Sequence, residues 1–290
     1  MTFLEESTGI PSKVGVVGGG RMGAGIAQVF AALGSTVVIA EAADQEAALG
    51  RVSTGLDRAH ERGKLTESPA DILARVTTVA GPADLPADLA LVVEAVPEIP
   101  SLKVEVLALI DKAVSDSTVI ASNTSSISIA ELGAALQDPS RFIGMHFFNP
   151  VPVSTLVEIV RAAATSPAVV EQVRNWVSLM GKTEVLVNDS PGFATSRLGV
   201  CLGLEAIRML EEGVADAESI DRAMELGYKH PMGPLRSTDL VGLDVRLAIA
   251  EHLASTLGDR FAPPQLLRDK VARGEIGRKS GMGFYDWTNA

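Results

Sequence analysis

The amino-acid sequence predicts an α/β domain built on a parallel sheet, followed by a smaller all-α domain. Short, almost wholly apolar runs alternate with helical segments over roughly the first two thirds of the chain, as is typical of strands buried on both faces. The turn cluster Asn188-Asp189-Ser190-Pro191-Gly192 follows, and beyond it only helical periodicity is found. We therefore expect domains at residues 1–190 and 191–290.

The elements of the first domain begin with a strand-helix-strand unit. Residues 13–17 and 35–41 are the strands, and a helix over 22–33 between them ends at Gly34. Residues 44–64 predict a long charged helix. Further strands are predicted at 76–79, 89–94, 118–122 and 141–146, and the helices of the second domain at 194–212, 216–227, 238–257 and 263–273.

Composition limits the class of partner. The 290 residues are 47% hydrophobic, enough for two cores, and the formal net charge of −11 disfavours nucleic acid or an anionic membrane as a partner. One cysteine, Cys201, excludes an internal disulfide and favours a reducing cytoplasm. Because Cys201 lies in an apolar helical segment, we expect it to be buried.

Neither a secretory signal nor a membrane span is predicted. Residues 1–7 contain no basic region and no apolar run. No apolar stretch elsewhere reaches the roughly 20 residues that a spanning helix needs.

The first predicted site is a glycine-rich turn. Gly18, Gly20 and Gly23 form Gly-x-Gly-x-x-Gly between a strand and a helix, with Arg21 and Met22 inside the motif. Glycines let backbone N–H groups approach a pyrophosphate at the helix N-terminus, so the motif predicts a Rossmann-type dinucleotide site. A purely structural turn is the alternative.

The last residue of the second predicted strand indicates which dinucleotide binds. Glu41 lies 18 residues after Gly23, where a carboxylate accepts hydrogen bonds from ribose hydroxyls and repels a 2′-phosphate. Ala42 and Ala43 follow, with no arginine or lysine to bind that phosphate. We therefore predict NAD rather than NADP, with a flavin as a less favoured alternative.

A histidine and a carboxylate are candidates for proton transfer. His146 ends a predicted strand, at the sheet edge where ligands of parallel sheets bind, and Glu158 follows in the chain. Histidine suits the removal of an alcohol proton, because its ordinary pKa lies near working pH. Glu158 could hold one ring nitrogen. The alternatives are a structural or surface histidine and a solvated carboxylate.

Two polar clusters leave alternatives open. Hydroxyls at residues 122–126 follow a strand and could face a ligand or cap the next helix, which contains Glu131; capping is favoured for Ser126 and Ser128, and Ser125 stays open. Arg51, Arg58 and Arg62 share one face of the charged helix, with Lys64 at its end. This patch could bind a polyanion, or pair with Asp57 and Glu61.

Together these features resemble the short-chain L-3-hydroxyacyl-CoA dehydrogenase family, which includes bacterial 3-hydroxybutyryl-CoA dehydrogenases. The resemblance covers essentially the whole chain, from Val14 to Trp287. Its motifs are the glycine turn and the segments 93–98 (VEAVPE), 122–126 (SNTSS), 146–150 (HFFNP), 156–159 (LVEI), 191–193 (PGF), 230–234 (HPMGP) and 277–285 (GRKSGMGFY).

The resemblance implies reversible oxidation of an (S)-3-hydroxyacyl-CoA, such as 3-hydroxybutyryl-CoA, to the 3-oxoacyl-CoA with NAD and no metal. His146 is implied to be the general base and Glu158 its partner. Ser125 would hydrogen-bond the substrate oxygen at C3, and Asn149 would lie near nicotinamide and substrate.

Binding roles follow from the same resemblance. Glu98 and Lys103 would hold the nicotinamide-side ribose, and Asn123 joins the cofactor residues. The patch residues Arg58, Arg62 and Lys64 would face the phosphates of coenzyme A. The helical domain would close over the cleft and form most of a homodimer interface.

Two positions depart from the family pattern. Ser196 stands where the family has an asparagine that orients the substrate, and Glu41 stands where aspartate is common. The alternatives are a dehydrogenase of a non-CoA 3-hydroxy acid or carnitine-like alcohol, and a non-catalytic NAD-binding protein, which the intact set of His146, Glu158 and Ser125 disfavours.

Overall fold

The computed structural model of the chain describes residues 9–288. These residues form two compact units that divide between Ser190 and Pro191. The prediction of no secretory signal concerns residues 1–7, which lie outside the described residues. None of the described helices is both long and apolar enough to cross a membrane.

Strands and helices alternate through the first unit. The strands are β1 (Lys13–Val17), β2 (Thr36–Ala40), β3 (Val76–Val79), β4 (Leu91–Glu94), β5 (Val119–Ser122), β6 (Phe142–Phe147), β7 (Leu156–Arg161) and β8 (Thr183–Asn188). The α-helices are α1 (Arg21–Ala32), α2 (Gln45–Glu61), α3 (Pro69–Leu73), α4 (Pro100–Ala113), α5 (Ile129–Gly133) and α6 (Pro167–Leu179).

The eight strands within residues 9–288 form one sheet in the order β3-β2-β1-β4-β5-β6-β7-β8. The first six are parallel, β7 runs antiparallel to β6, and β8 runs parallel to β7. The predicted α/β fold with a parallel sheet is confirmed. The strands β7 and β8 were not predicted. Because β1 lies between β2 and β4, the strand order reverses there, and ligands of such sheets bind at the strands' carboxyl ends beside this point.

The core of the first unit explains why its strands are apolar on both faces. On one face of the sheet, strand residues that are inaccessible to solvent share a buried cluster with residues of α1 and α6: Val14, Val16, Val93, Phe30 and Trp176. Val92, the neighbour of Val93 on β4, points to the opposite side of the sheet. It is also inaccessible to solvent, as is Leu107 of α4. Helices therefore cover the sheet on both sides, as the continuous apolar runs required.

The second unit contains α7 (Thr195–Glu211), α8 (Ala217–Gly227), α9 (Pro234–Val241), α10 (Leu243–Leu257) and α11 (Gln265–Ala272). The prediction of a single helix over 238–257 was wrong. The structure has two helices that meet at Gly242, whose φ of 105° is a left-handed value that ends α9.

The prediction that Cys201 is buried was also wrong, because Cys201 is exposed to solvent. On α7 the buried stripe runs through Val200, Gly203, Leu204 and Ile207, at the spacing of one helix face. Cys201 lies just outside that stripe.

The last segment of the chain is held by two buried carboxylates. Asp239 accepts hydrogen bonds from the backbone N–H groups of Phe284 and Tyr285, each at 2.9 Å, and from the Trp287 indole at 2.8 Å. Asp221 accepts one from the Tyr285 hydroxyl at 2.7 Å. Burial, together with Asp221, raises the pKa of Tyr285. The GMGFY motif therefore has a structural role in anchoring the chain end.

Candidate active site

Two glycines of the turn are required by the protein's own packing. Gly18 has φ 100°, and a Cβ on it would lie 2.8 Å from the Ala95 carbonyl oxygen. A Cβ on Gly23 would lie 1.8 Å from the Gly18 carbonyl oxygen. Neither position accepts a larger residue without displacing the backbone.

Gly20 differs, because a Cβ there would meet no atom of the described residues within 4 Å. It precedes α1 with φ −66°, a value open to any residue. Protein packing therefore gives no reason for glycine here, whereas a pyrophosphate lying against the backbone does. The turn fits a dinucleotide.

The acid after β2 is bound to this turn. Glu41 accepts a hydrogen bond from Gly19 N–H on Oε2 at 2.7 Å and one from Ala43 N–H on Oε1 at 2.8 Å. Arg51 of α2 also reaches the turn and donates to the Gly19 carbonyl oxygen at 3.1 Å. Arg51 was predicted only as part of the basic patch, and its contact with this turn was not predicted.

His146 and Glu158 face each other across the antiparallel pair β6–β7. They are direct partners in the strand register, and His146 Nδ1 lies 3.0 Å from Glu158 Oε2. Both residues are buried, with 6% and 0% exposure. His146 is therefore not a surface histidine, and Glu158 is not a solvated carboxylate.

The His146 ring also packs against Phe148, with ring centroids 4.4 Å apart and planes inclined at 45°. Asn149 follows, is exposed, and precedes Pro150. The loop after Pro150 is fixed by Lys182, which donates to the carbonyl oxygens of Val151 at 2.7 Å and Ser154 at 2.5 Å. Burial lowers the pKa of Lys182. Lys182 is a loop anchor that the sequence reasoning missed.

The serine cluster is bound to Glu98. Glu98 Oε1 accepts hydrogen bonds from the Thr124 hydroxyl at 2.5 Å, from Ser125 N–H at 2.8 Å and from Ser126 N–H at 3.2 Å. This carboxylate therefore binds the backbone of Ser125 and of its neighbour Ser126.

Lys103 joins Glu98 to a second carboxylate inside the protein. Its Nζ lies 2.7 Å from Glu94 Oε1 and 3.3 Å from Glu98 Oε2. Lys103 is 1% exposed and Glu94 is 0% exposed. Glu94 also accepts from the Ser122 hydroxyl at 2.5 Å and from Val96 N–H at 2.7 Å. No role was predicted for Glu94, although the 93–98 motif contains it.

Asn123 links two strand ends. Its N–H donates to the Glu94 carbonyl oxygen at 2.8 Å, and its Oδ1 accepts from Phe147 N–H at 2.9 Å. Asn123 therefore holds the residue that follows His146. Ser128 is the N-cap of α5 and accepts from Glu131 N–H at 3.2 Å, which confirms capping at that position.

The basic patch on α2 is exposed. Arg58, Arg62 and Lys64 are exposed, as are the nearby carboxylates Asp57 and Glu61. Across residues 9–288, no ion pair within 4.0 Å joins the three cations to a carboxylate. The structure therefore does not support the alternative of a salt-bridged helix. Ser196 lies in the second unit, in the first turn of α7.

The fold and this arrangement define an NAD-dependent dehydrogenase of two units, one of them an NAD-binding α/β unit. The family model for the 3-hydroxyacyl-CoA dehydrogenase NAD-binding domain matches residues 13–190, and the model for the C-terminal domain of the same enzymes matches residues 192–287. The chain belongs to the 3-hydroxyacyl-CoA dehydrogenase family.

Individual relatives agree with that assignment. The chain is 43% identical over 278 residues to a probable 3-hydroxybutyryl-CoA dehydrogenase of Deinococcus radiodurans, covering 95% of this chain and 100% of the relative. It also resembles the solved (S)-3-hydroxybutyryl-CoA dehydrogenase of Ralstonia eutropha, at 42% identity and a TM-score of 0.90, with 96% and 99% of the two chains covered. A diketoreductase described as acting on dicarbonyl compounds matches at 28% identity and a TM-score of 0.82, with 96% and 99% covered.

Proposed function

We propose that this enzyme reversibly oxidises (S)-3-hydroxybutyryl-CoA, or a similar (S)-3-hydroxyacyl-CoA, to the 3-oxoacyl-CoA, as a step of fatty-acid metabolism. The observation that carries the proposal is the buried contact between His146, near the carboxyl end of β6, and Glu158 on β7. The names of the relatives from Deinococcus radiodurans and Ralstonia eutropha support the substrate class.

In this mechanism His146 accepts the proton of the substrate's C3 hydroxyl. Its Nδ1 is engaged by Glu158, so the proton is taken by the other ring nitrogen, Nε2. Glu158 holds the tautomer in which Nε2 carries no proton, and its charge stabilises the imidazolium that forms. Burial of the pair strengthens this interaction relative to water.

Ser125 binds the C3 oxygen, and Asn149 contacts the substrate near the reacting carbon. The position of Ser125 depends on Glu98, which binds its backbone N–H and is itself held by Lys103. Lys103 therefore acts through Glu98, as a positioning residue. The contribution of Ser196 to substrate orientation also stays a prediction.

The dinucleotide is held by Gly18, Gly20 and Gly23 with Arg21 and Met22, while Glu41 binds the adenosine ribose. The nicotinamide-side ribose is held by Glu98 with Lys103, and Asn123 also belongs to the cofactor site. The chemistry supplied by bound NAD would be that of a hydride acceptor for the hydrogen on C3. The chain supplies the position of the substrate and the acceptor for the remaining proton.

The phosphates of the coenzyme A part of the substrate are bound by Arg58, Arg62 and Lys64. Coenzyme A carries several phosphate charges, and exposed cations without a carboxylate partner bind phosphate readily. The protein has a net charge of −11, which repels a polyanion. The local basic patch is therefore the feature that favours a polyanionic substrate.

Reversing the charge of this patch is expected to raise KM for a CoA thioester. In Arg58→Glu/Arg62→Glu, KM for acetoacetyl-CoA should rise about tenfold or more, because two charge-assisted contacts are replaced by repulsion. The kcat should change little, since the patch lies outside the reacting atoms. Steady-state kinetics measure both. Lys13→Glu, which reverses an exposed charge outside the patch, is the control, and an unchanged KM in the double variant would contradict the assignment.

The alternative substrate is a 3-hydroxy acid or carnitine-like alcohol without coenzyme A. The similarity to a diketoreductase favours keeping it as a second candidate. The same double variant separates the two, because a small substrate does not need the patch and its KM would be unaffected.

Purified enzyme is expected to consume NADH with acetoacetyl-CoA, and not with free acetoacetate at the same concentration. NADH absorbance falls during this reduction. It rises during the reverse reaction, when (S)-3-hydroxybutyryl-CoA and NAD are supplied instead. A higher kcat/KM with the free acid would favour the alternative. NADH binding without turnover of either substrate would indicate a non-catalytic protein.

We further propose a homodimer formed through the helical unit, in the cytoplasm. Leu198, Leu226 and Tyr228 of that unit are 70%, 63% and 76% exposed, and burial of such side chains favours association. The single cysteine accords with a reducing compartment.

A further inference from the structure

The Glu41 carboxylate occupies a small set of anion-binding groups supplied by the protein. The N–H groups of Gly19 and Ala43 donate to its two oxygens at 2.7 and 2.8 Å. Burial alone would raise the pKa of Glu41, but these donors and the Arg51 charge outweigh it, and the pKa is lowered. The surroundings therefore favour a negative charge at this point.

Arg51 brings a cation to the same place from α2. Its Nη1 donates to the Gly19 carbonyl oxygen at 3.1 Å, so side chains of opposite charge hold the two sides of Gly19. Within residues 9–288, Arg51 makes no ion pair with Glu41 at 4.0 Å or less. The Arg51 charge contributes to the lowered pKa of Glu41 although no direct ion pair joins the two side chains.

We propose that Arg51 is a second determinant of cofactor selectivity: once Glu41 is removed, the 2′-phosphate of NADP takes the place of its carboxylate. The phosphate would accept from Gly19 N–H and Ala43 N–H and pair with Arg51. A phosphate and a carboxylate use the same donors, so the intact acid blocks the site by occupancy as well as by repulsion. The inference rests on the proposed placement of the dinucleotide on this turn.

Two acids at the start of α2 limit the effect. Asp44 caps the helix and accepts from Ala47 N–H at 2.8 Å, and Glu46 lies in the first turn. Both carry negative charge near the site and oppose a phosphate. The expected increase in NADPH affinity is therefore on the order of tenfold, the lower range for one new charge-assisted hydrogen bond together with the removal of one like charge.

Dissociation constants for NADH and NADPH, measured by nucleotide fluorescence without substrate, test the proposal. Glu41→Ser should bind NADPH about tenfold more tightly than wild type and NADH more weakly. Glu41→Ser/Arg51→Met should lose this increase in NADPH affinity. Glu41→Ser/Lys112→Met removes an exposed charge on α4 instead and should keep the increase. An increase that survives removal of Arg51 would overturn the proposal.

The outcomes also separate this inference from the placement of the site. If Glu41→Ser leaves both dissociation constants unchanged, and Gly20→Val does so too, the dinucleotide does not bind at this turn and the placement is wrong. If Gly20→Val abolishes binding but Glu41→Ser does not bind NADPH more tightly, the placement holds and the role of Arg51 fails. Should Glu41→Ser not fold, Glu41→Gln keeps one of the two backbone hydrogen bonds and is compared with Glu41→Gln/Arg51→Met in the same way.

Discussion

His146→Ala is expected to lower kcat by about 10²–10⁴-fold, the usual contribution of a general base, and to leave the dissociation constant for NADH unchanged. The turn proposed to bind the dinucleotide lies between β1 and α1, whereas His146 belongs to β6. Loss of turnover with intact cofactor binding would therefore locate the defect in proton transfer. Steady-state kinetics and NADH fluorescence give the two quantities.

The alanine variant also leaves a buried carboxylate without its histidine, which costs stability as well as turnover. His146→Gln is the matched variant, because its amide can still donate to Glu158 but cannot accept a proton near neutral pH. It should recover much of the melting temperature of the wild type while turnover stays low. Wild-type turnover in either variant would contradict the assignment of His146 as the general base.

Glu158→Gln separates the two roles of the carboxylate. The amide oxygen can accept from Nδ1 and keep the ring in place, but it carries no charge to stabilise an imidazolium. The fall in kcat should be smaller than in His146→Ala, and its pH dependence should differ from that of the wild type.

Sequence patterns predicted the six parallel strands well because their residues are apolar on both faces. The two strands that follow were missed for different reasons. β7 contains the buried Glu158 in its centre, which interrupts its apolar run. β8 lies at the sheet edge, and its residues are partly or largely exposed. An edge strand lacks the burial on which the pattern depends.

The contact between His146 and Glu158 could not be predicted from the spacing of the two residues in the sequence. The two residues are neighbours because β7 reverses direction and pairs with β6 in one particular register. A shift of one residue would turn Glu158 to the other face of the sheet. Likewise, the contact of Arg51 with Gly19 depends on how α2 packs, and no local motif contains both residues.

Short-range chemistry was more accessible. Ser128 lies before a helix and three residues ahead of Glu131, a signature that predicts the observed cap. By contrast, the burial of Cys201 depended on which face of α7 is covered, and an apolar average over the helix could not determine it.

Lys103→Met is expected to lower the free energy of unfolding of the α/β unit by about 3–5 kcal/mol, because it leaves a buried carboxylate uncompensated. Lys103 and Glu94 are 1% and 0% exposed and 2.7 Å apart. Urea unfolding measures the change, and hydrogen exchange over residues 91–103 shows whether it arises locally. Lys13→Met, which breaks an exposed ion pair with Asp88, is the control and should have little effect.

The double variant Lys103→Met/Glu94→Gln distinguishes a structural role from a positioning role. The glutamine can still accept from Val96 N–H and contact the Ser122 hydroxyl, so removal of both charges should recover most of the stability. Glu98 nevertheless loses its cation, and with it the support for the backbone of Ser125. We therefore expect stability to recover while kcat stays low. If kcat recovers together with stability, Lys103 serves only to neutralise Glu94, and the positioning of Ser125 has another origin.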